Sequence, residues 1–373
     1  MVVNPQYRVK PFSLLNTDGN ARAGILQVGK WTLPTPMFMP VATQGTVKGM
    51  TPLRLKEVGA EIILCNTYHL YLRPGHSVIE AAGGLRGFTS WDGPILTDSG
   101  GFQVYSLSPL RKIKEMGVEF KSHIDGSTHF IGPREAMQIQ KALGSDIVMA
   151  FDECPPYPAT YDYVLGSLQL TSRWARQCKE VHDGQQMLFG IVQGGTYNDL
   201  RLQSASELMA LDLDGYALGG VSVGEPKDIM YDIVSYMATE LPQDRPRYLM
   251  GVGFPQDILH AVEAGFDMFD CVIPTRTARH GTLLTHTGRI SIKAQPYKND
   301  PSPLDPQCGC YTCKNFSRAY LNHLFRAKEL LAITLNTIHN LHFYFEFMRD
   351  IRLAITQNRF KEFKTQYLKE IGE

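Results

Sequence analysis

A recurring unit constrains this chain more than any single motif. A short apolar run ends in a polar or glycine-rich tip, and a helical stretch often follows. The runs span residues 36–41, 61–64, 94–96, 147–150, 187–192, 216–218, 248–252 and 266–269. Their tips are Thr43-Gln44-Gly45, Cys65-Asn66-Thr67, Asp98-Ser99-Gly100-Gly101, Asp152-Glu153-Cys154, Gln193-Gly194-Gly195, Gly219-Gly220, Gly251-Val252-Gly253 and Asp270. Helical spacing is clearest in two places. Residues 133–143 open on proline and carry Met137, Ile139, Gln140 and Leu143, and residues 255–264 carry Ile258, Leu259 and Val262 before Gly265. About eight such units close a parallel barrel, so the expected class is α/β, a (β/α)8 TIM barrel. A doubly wound open sheet is disfavoured, because no G-x-G-x-x-G follows the first run. In a barrel all strand ends converge on one mouth, and the polar tips should ring it.

Outside the repeat, residues 7–35 alternate around Asp18-Gly19-Asn20 and predict an antiparallel β-hairpin that caps one end of the barrel. Residues 106–131 read as a loop. Beyond Thr285 come a short strand at 289–293, a proline-rich stretch at 296–306, a cysteine cluster and closing helices at 317–327, 329–349 and 352–369. The expectation is one barrel domain over residues 1–373, with a zinc-binding insertion at 285–345 before the closing helices.

Composition narrows the function classes. Of 373 residues, 43% are hydrophobic and 20% charged, which suits a soluble enzyme. The formal net charge is zero, so any polyanion must be met by a local patch. Arg276, Arg279, Arg289, Lys293 and Lys298 supply one, with no acid between Asp270 and Asp300. No apolar run reaches the roughly 18 residues of a membrane span, and the N-terminus lacks a signal-peptide core. Cysteines number seven and are unevenly spread, which argues against a disulfide framework and for the reducing cytoplasm.

Cys308-x-Cys310-x2-Cys313 places three thiols in a tight loop, and zinc wants four ligands. The fourth should come from a following helix, where His323, His339 and His342 are candidates. Four protein ligands leave no position for substrate, so the site is expected to be structural.

Taken alone, Asp270 reads as a cap for the element that follows it. Paired with Asp98 at another strand end, it suggests glycosyl transfer, one carboxylate attacking the anomeric carbon and the other moving a proton. The glycine tips let backbone groups approach a flat ligand closely. Asp152 and Gln193 could pair with the edge of a purine, and Phe102 and Met250 could cover its faces.

The segments DSGGFQVYSL (98–107), FDECPP (151–156), GIVQGGT (190–196), GGVSVGE (219–225), YLMGVGFPQDI (248–258), FDMFDCVIPTRTAR (266–279) and CGCYTC with His339 resemble the queuine tRNA-ribosyltransferases, also called tRNA-guanine transglycosylases. The resemblance runs from the N-terminal hairpin to the last helices. It implies a barrel with a zinc insertion that exchanges guanine at the tRNA wobble position (GUN anticodons) for a 7-deazaguanine. Asp270 would be the nucleophile and Asp98 the general acid/base. Ser99, Gly100, Gly101, Phe102, Asp152, Gln193, Gly219, Gly220 and Met250 would hold the base. Gly251, Val252, Gly253, Phe254, Pro255, Gln256 and Asp257, with Thr275, Arg276, Thr277, Ala278 and Arg279, would contact the anticodon loop. The zinc ligands would be Cys308, Cys310, Cys313 and His339. Val223 and Cys154 resemble the bacterial pattern and imply the 7-aminomethyl base, with queuine as the alternative; retention of both acids argues against a non-catalytic tRNA-binding subunit. Thr277 and His280 stand where relatives usually carry asparagine, and Val221-Ser222 where Leu-Ala is usual. Phe316, Tyr320 and His323 form an aromatic stripe at helical spacing, which the resemblance places at a homodimer interface.

Overall fold

The protein is described by a computed structural model over residues 11–107 and 111–372. Its first element is a three-stranded antiparallel sheet of β1 (Phe12–Asp18), β2 (Ala21–Val28) and β3 (Trp31–Thr35), in that order. The expected hairpin thus gains a third strand, because Gly29 at φ +55° makes a second tight turn after the one at Gly19. Residues 7–10 of that expectation lie outside the described residues.

Eight parallel strands then form a closed barrel. Its first three are β4 (Met37–Ala42), β5 (Ile63–Cys65) and β6 (Ile95–Thr97). An antiparallel excursion of β7 (Arg111–Lys114), β8 (Gly117–Lys121) and β9 (Thr128–Ile131) follows where the sequence reads as a loop. Its outer strands are largely exposed, so the alternation that marks a half-buried strand is weak there. The barrel resumes with β10 (Ile147–Met149), β11 (Met187–Val192), β12 (Gly215–Leu218), β13 (Arg247–Leu249) and β14 (Met268–Cys271), and β14 pairs with β4 to close it.

Strand alternation decides what faces inward. Met37, Met39, Leu64, Leu96, Phe189, Ile191, Tyr248 and Met268 share one interior cluster with Phe12, Leu26, Val28 and Leu33 of the N-terminal sheet. That sheet therefore seals the end of the barrel where the strands begin. The outward residues Phe38, Ile63, Val148, Leu249 and Phe269 pack under the surrounding helices.

Several boundaries differ from the sequence reading, among them the last helix, which begins at Phe360 and not at 352. The last barrel strand runs through Asp270 to Cys271, so Asp270 belongs to the ladder and caps nothing. Pro274 sits in the first turn of the helix that follows, Ile273–Arg279, where its missing N–H costs nothing. Helix Leu330–Thr356 continues past 349 because Ile351, Ala354 and Ile355 extend its buried face, and it stops before Asn358 at φ +54°. Helices Pro133–Leu143 and Pro255–Ala264 match their predicted spans. Among the described residues no helix is long and apolar enough to cross a membrane.

Candidate active site and metal centre

Where the barrel strands end, the tips enclose a cavity of about 930 Å³ lined by Asp98, Asp152, Gln193, Gly219, Gly220 and Asp270, among others. Alternation places Asp270 inside the barrel two residues beyond the interior Met268. Its Oδ1 accepts hydrogen bonds from the Tyr248 hydroxyl at 2.6 Å and the Gly251 amide at 2.8 Å. Burial raises its pKa above the ordinary carboxylate value, and those two donors oppose the rise. Among the described residues no cation is hydrogen-bonded to it.

Asp98 comes from the turn after β6. The Asn66 amide donates to Oδ2 at 2.5 Å and the Thr67 amide to Oδ1 at 2.8 Å, both from the turn after β5. Burial pushes its pKa up to about 6; the bonds from Asn66 and Thr67 lower it and the charge of Asp270 adds to the rise. Such a group can hold or release a proton near neutrality.

Behind the two acids stands a set of polar edges. Asp152, itself 6% exposed, accepts from the Ser99 hydroxyl at 2.7 Å and the Gln193 side-chain amide at 2.8 Å. Gln193 Oε1 is buried and has no hydrogen-bond partner among the described residues. The glycine tips fit tightly around these groups. A Cβ on Gly101 would lie 2.3 Å from the Asp152 carbonyl, and one on Gly220, at φ +60°, 2.4 Å from Gln193 Oε1. Phe102 and Met250 line the same cavity, and Gly100 opens the turn beneath Phe102.

The metal centre packs against helix Ile273–Arg279, whose Ala278 shares an apolar cluster with Cys308, Cys310 and Cys313. Cys308, Cys310, Cys313 and His339 are all buried, with their ligand atoms within 4.8 Å of one another. His339 Nδ1 faces Cys313 Sγ at 3.3 Å and Cys310 Sγ at 3.7 Å, while Nε2 lies 2.6 Å from the Leu284 carbonyl. That carbonyl fixes the proton on Nε2 and leaves Nδ1 free to ligate. Three thiols and one imidazole suit a single structural zinc ion.

A sequence model described as Queuine tRNA-ribosyltransferase matches residues 17–373. Proteins named queuine tRNA-ribosyltransferase from Thermoanaerobacter sp. and Thermoanaerobacter pseudethanolicus are 59% and 60% identical over 365 residues, 97% of each chain. One of the same name from Caldanaerobacter subterraneus is 60% identical over 352 residues, 94% of each chain. The chain belongs to the queuine tRNA-ribosyltransferase family.

In this family member the two segments expected at the anticodon loop divide. Gly251, Gly253, Phe254, Asp257, Arg276 and Thr277 line the cavity, whereas Val252, Pro255, Thr275 and Ala278 are buried in packing beneath it. Gln256 and Arg279 are half-buried outside the cavity lining, and the Arg279 guanidinium donates to the Thr275 carbonyl. Arg276, Arg289, Lys293 and Lys298 are exposed.

Some residues that shape the site escaped the sequence reading. Tyr248 reads as one more apolar strand residue, although it is the hydroxyl donor to Asp270. Asn66 and Thr67 stand in a recognised tip, but nothing local says that they hold Asp98. Arg201, fully buried in helix Asn198–Met209, donates to the carbonyls of Val192, Gly195, Gly219 and Gly220. It ties two glycine tips together, and a lone arginine in a helix carries no signal of that.

Proposed function

We propose that this family member exchanges guanine at the wobble position of tRNA for 7-aminomethyl-7-deazaguanine, a step of queuosine biosynthesis. The observation that carries the reading is the meeting of Asp98 and Asp270, from separate strand ends, in one cavity with the base-edge pair Asp152 and Gln193. The target nucleotide must leave its stack to reach a barrel mouth, and anticodon loops allow this.

With Oδ1 of Asp270 tied to Tyr248 and Gly251, Oδ2 is the attacking oxygen. It forms a bond to the ribose C1′ as the bond to guanine N9 breaks, and Asp98 gives a proton to the departing base. In the second displacement Asp98 takes the N9 proton of the incoming base. The new glycosidic bond forms as the Asp270 ester breaks, and configuration is retained. Asp152 and Gln193 read the base edge, Phe102 and Met250 cover its faces, and Arg276 with its basic neighbours meets the phosphates.

Three finer points belong to the same reading. The described residues make up one barrel domain with a zinc subdomain at 285–345. Phe316 and Tyr320 stack at 5.4 Å, with Tyr320 39% exposed and His323 exposed, which supports a homodimer through this stripe. Seven unpaired buried cysteines fit the cytoplasm.

Mass analysis of tRNA after incubation with each base tests the substrate. Incorporation of the aminomethyl base is expected, and an exclusive response to queuine would replace that choice.

A further inference from the structure

Two polar atoms beside the metal centre have no use in the mechanism above. Among the described residues His342 Nε2 and Glu346 Oε2 are buried atoms without a hydrogen-bond partner; they face each other as an ion-pair contact at 3.6 Å, and the other Glu346 oxygen lies 4.0 Å from Arg349. One turn separates them on helix Leu330–Thr356, the helix that supplies His339. Their ligand atoms lie within 4.8 Å of Cys308 Sγ and of each other, so Cys308 belongs to two ligand sets at once. The first set, with Cys310, Cys313 and His339, is closed, its residues between 0% and 7% exposed. The second is not: the side chains of His342 and Glu346 are 17% and 29% exposed.

Glu346 also faces outward. It lines a cavity of about 250 Å³ together with His286, Asp350, Arg359 and Glu370. The path from solvent thus runs past carboxylates to Glu346, then to His342 and Cys308, and ends among three thiols and an imidazole. A hard carboxylate, an imidazole and one thiolate bind zinc less firmly than three thiolates and an imidazole do, so the affinity rises inward along it.

We propose that Glu346, His342 and Cys308 form a way-station through which zinc passes into and out of the closed Cys308–Cys310–Cys313–His339 site. On arrival, Glu346, neutral His342 and the Cys308 thiolate take the ion, and the Cys308 proton goes to water. Cys308 keeps its bond during the hand-over. Glu346 and His342 let go, while Cys310, Cys313 and His339 Nδ1 bind, and two further thiol protons leave to solvent. No oxidation state changes.

Microscopic reversibility makes the test decisive, because a station that speeds loading must also speed release. Zinc-loaded full-length protein is mixed with excess azo-resorcinol chelator, and the appearance of the coloured zinc complex is timed. His342→Gln and Glu346→Gln should each slow release several-fold, with one zinc per chain at the start and base exchange unchanged. If the two side chains merely brace the site, their loss weakens zinc binding by about 10–100-fold and release becomes faster. Faster or unchanged release in both variants overturns the proposal. Base exchange is measured separately, so that outcome leaves the catalytic reading intact.

Discussion

The strand region that closes the barrel carries two carboxylates three residues apart, and the protein treats them in opposite ways. Asp267, at the sealed end, is fully buried against Arg22, whose Nε and Nη2 donate to it at 2.8 and 3.0 Å. The Arg247 amide supplies a third bond at 2.7 Å. Asp270, at the open end, has a tyrosine hydroxyl and one backbone amide, and among the described residues no cation. A neutralised carboxylate holds the fold together, while one left without a counter-charge keeps its attraction for an electron-poor carbon. On the proposed mechanism the barrel separates stability and chemistry along a single strand, as its architecture favours.

Isosteric substitution breaks this comparison most directly. Asp270→Asn should leave the thermal midpoint close to the parent and abolish both base exchange and the covalent RNA adduct seen on denaturing gels. Asp267→Asn should do the reverse. It strands the Arg22 charge in the interior, which costs about 3–5 kcal/mol in denaturant unfolding, while exchange per folded molecule persists. Loss of the adduct in Asp267→Asn at conditions where it is folded would erase the distinction.

Asp98 tests the same contrast by pH. Its carboxyl rises from 3.8 to about 6, chiefly through burial, so the folded state binds its proton more tightly than the unfolded chain does. The resulting stabilisation is complete below about pH 4 and is lost as pH passes through 6, worth about 3 kcal/mol. Asp98→Asn removes this dependence. Relative to the parent, its midpoint should climb between pH 4 and 7, and a flat difference would show that Asp98 is not held in the protonated form. The variant should also form adduct slowly, since the leaving guanine lacks its proton donor.

How legible this was depends on distance along the chain. The eight strands and two helices were readable because apolar period and terminal proline or glycine are local signals. The Cys308–Cys310–Cys313 loop was readable for the same reason, whereas composition alone left three histidines as fourth ligand. The geometry that singles out His339, with Nδ1 towards the thiols and Nε2 on the Leu284 carbonyl, joins residues 55 apart in sequence. Asp267 and Asp270 look alike as letters; only the partner Arg22, 245 residues away, tells them apart. The β7–β9 sheet failed for a different reason, since its exposed strands lack the alternation that burial imposes.

The smallest effect separates two roles for Tyr248. Its hydroxyl bond at 2.6 Å to Asp270 lowers that group's pKa, which means it favours the charged carboxylate. In the first displacement that charge is consumed and the bond weakens. In the second it returns, and the bond strengthens as the ester breaks. A hydrogen bond to a charged group contributes about 1.5–3 kcal/mol, so Tyr248→Phe should slow the second displacement by roughly tenfold to a hundredfold. The first, which gives up that bond on the way to the ester, should not be slowed. Adduct would then accumulate during turnover, the opposite of Asp98→Asn. If Tyr248 only fixes the direction of the carboxylate, both displacements should slow together and the adduct should stay at its parental level. Rapid-quench measurement of adduct against product decides between them, and it does so on one atom of the side chain that separates the two ends of the strand.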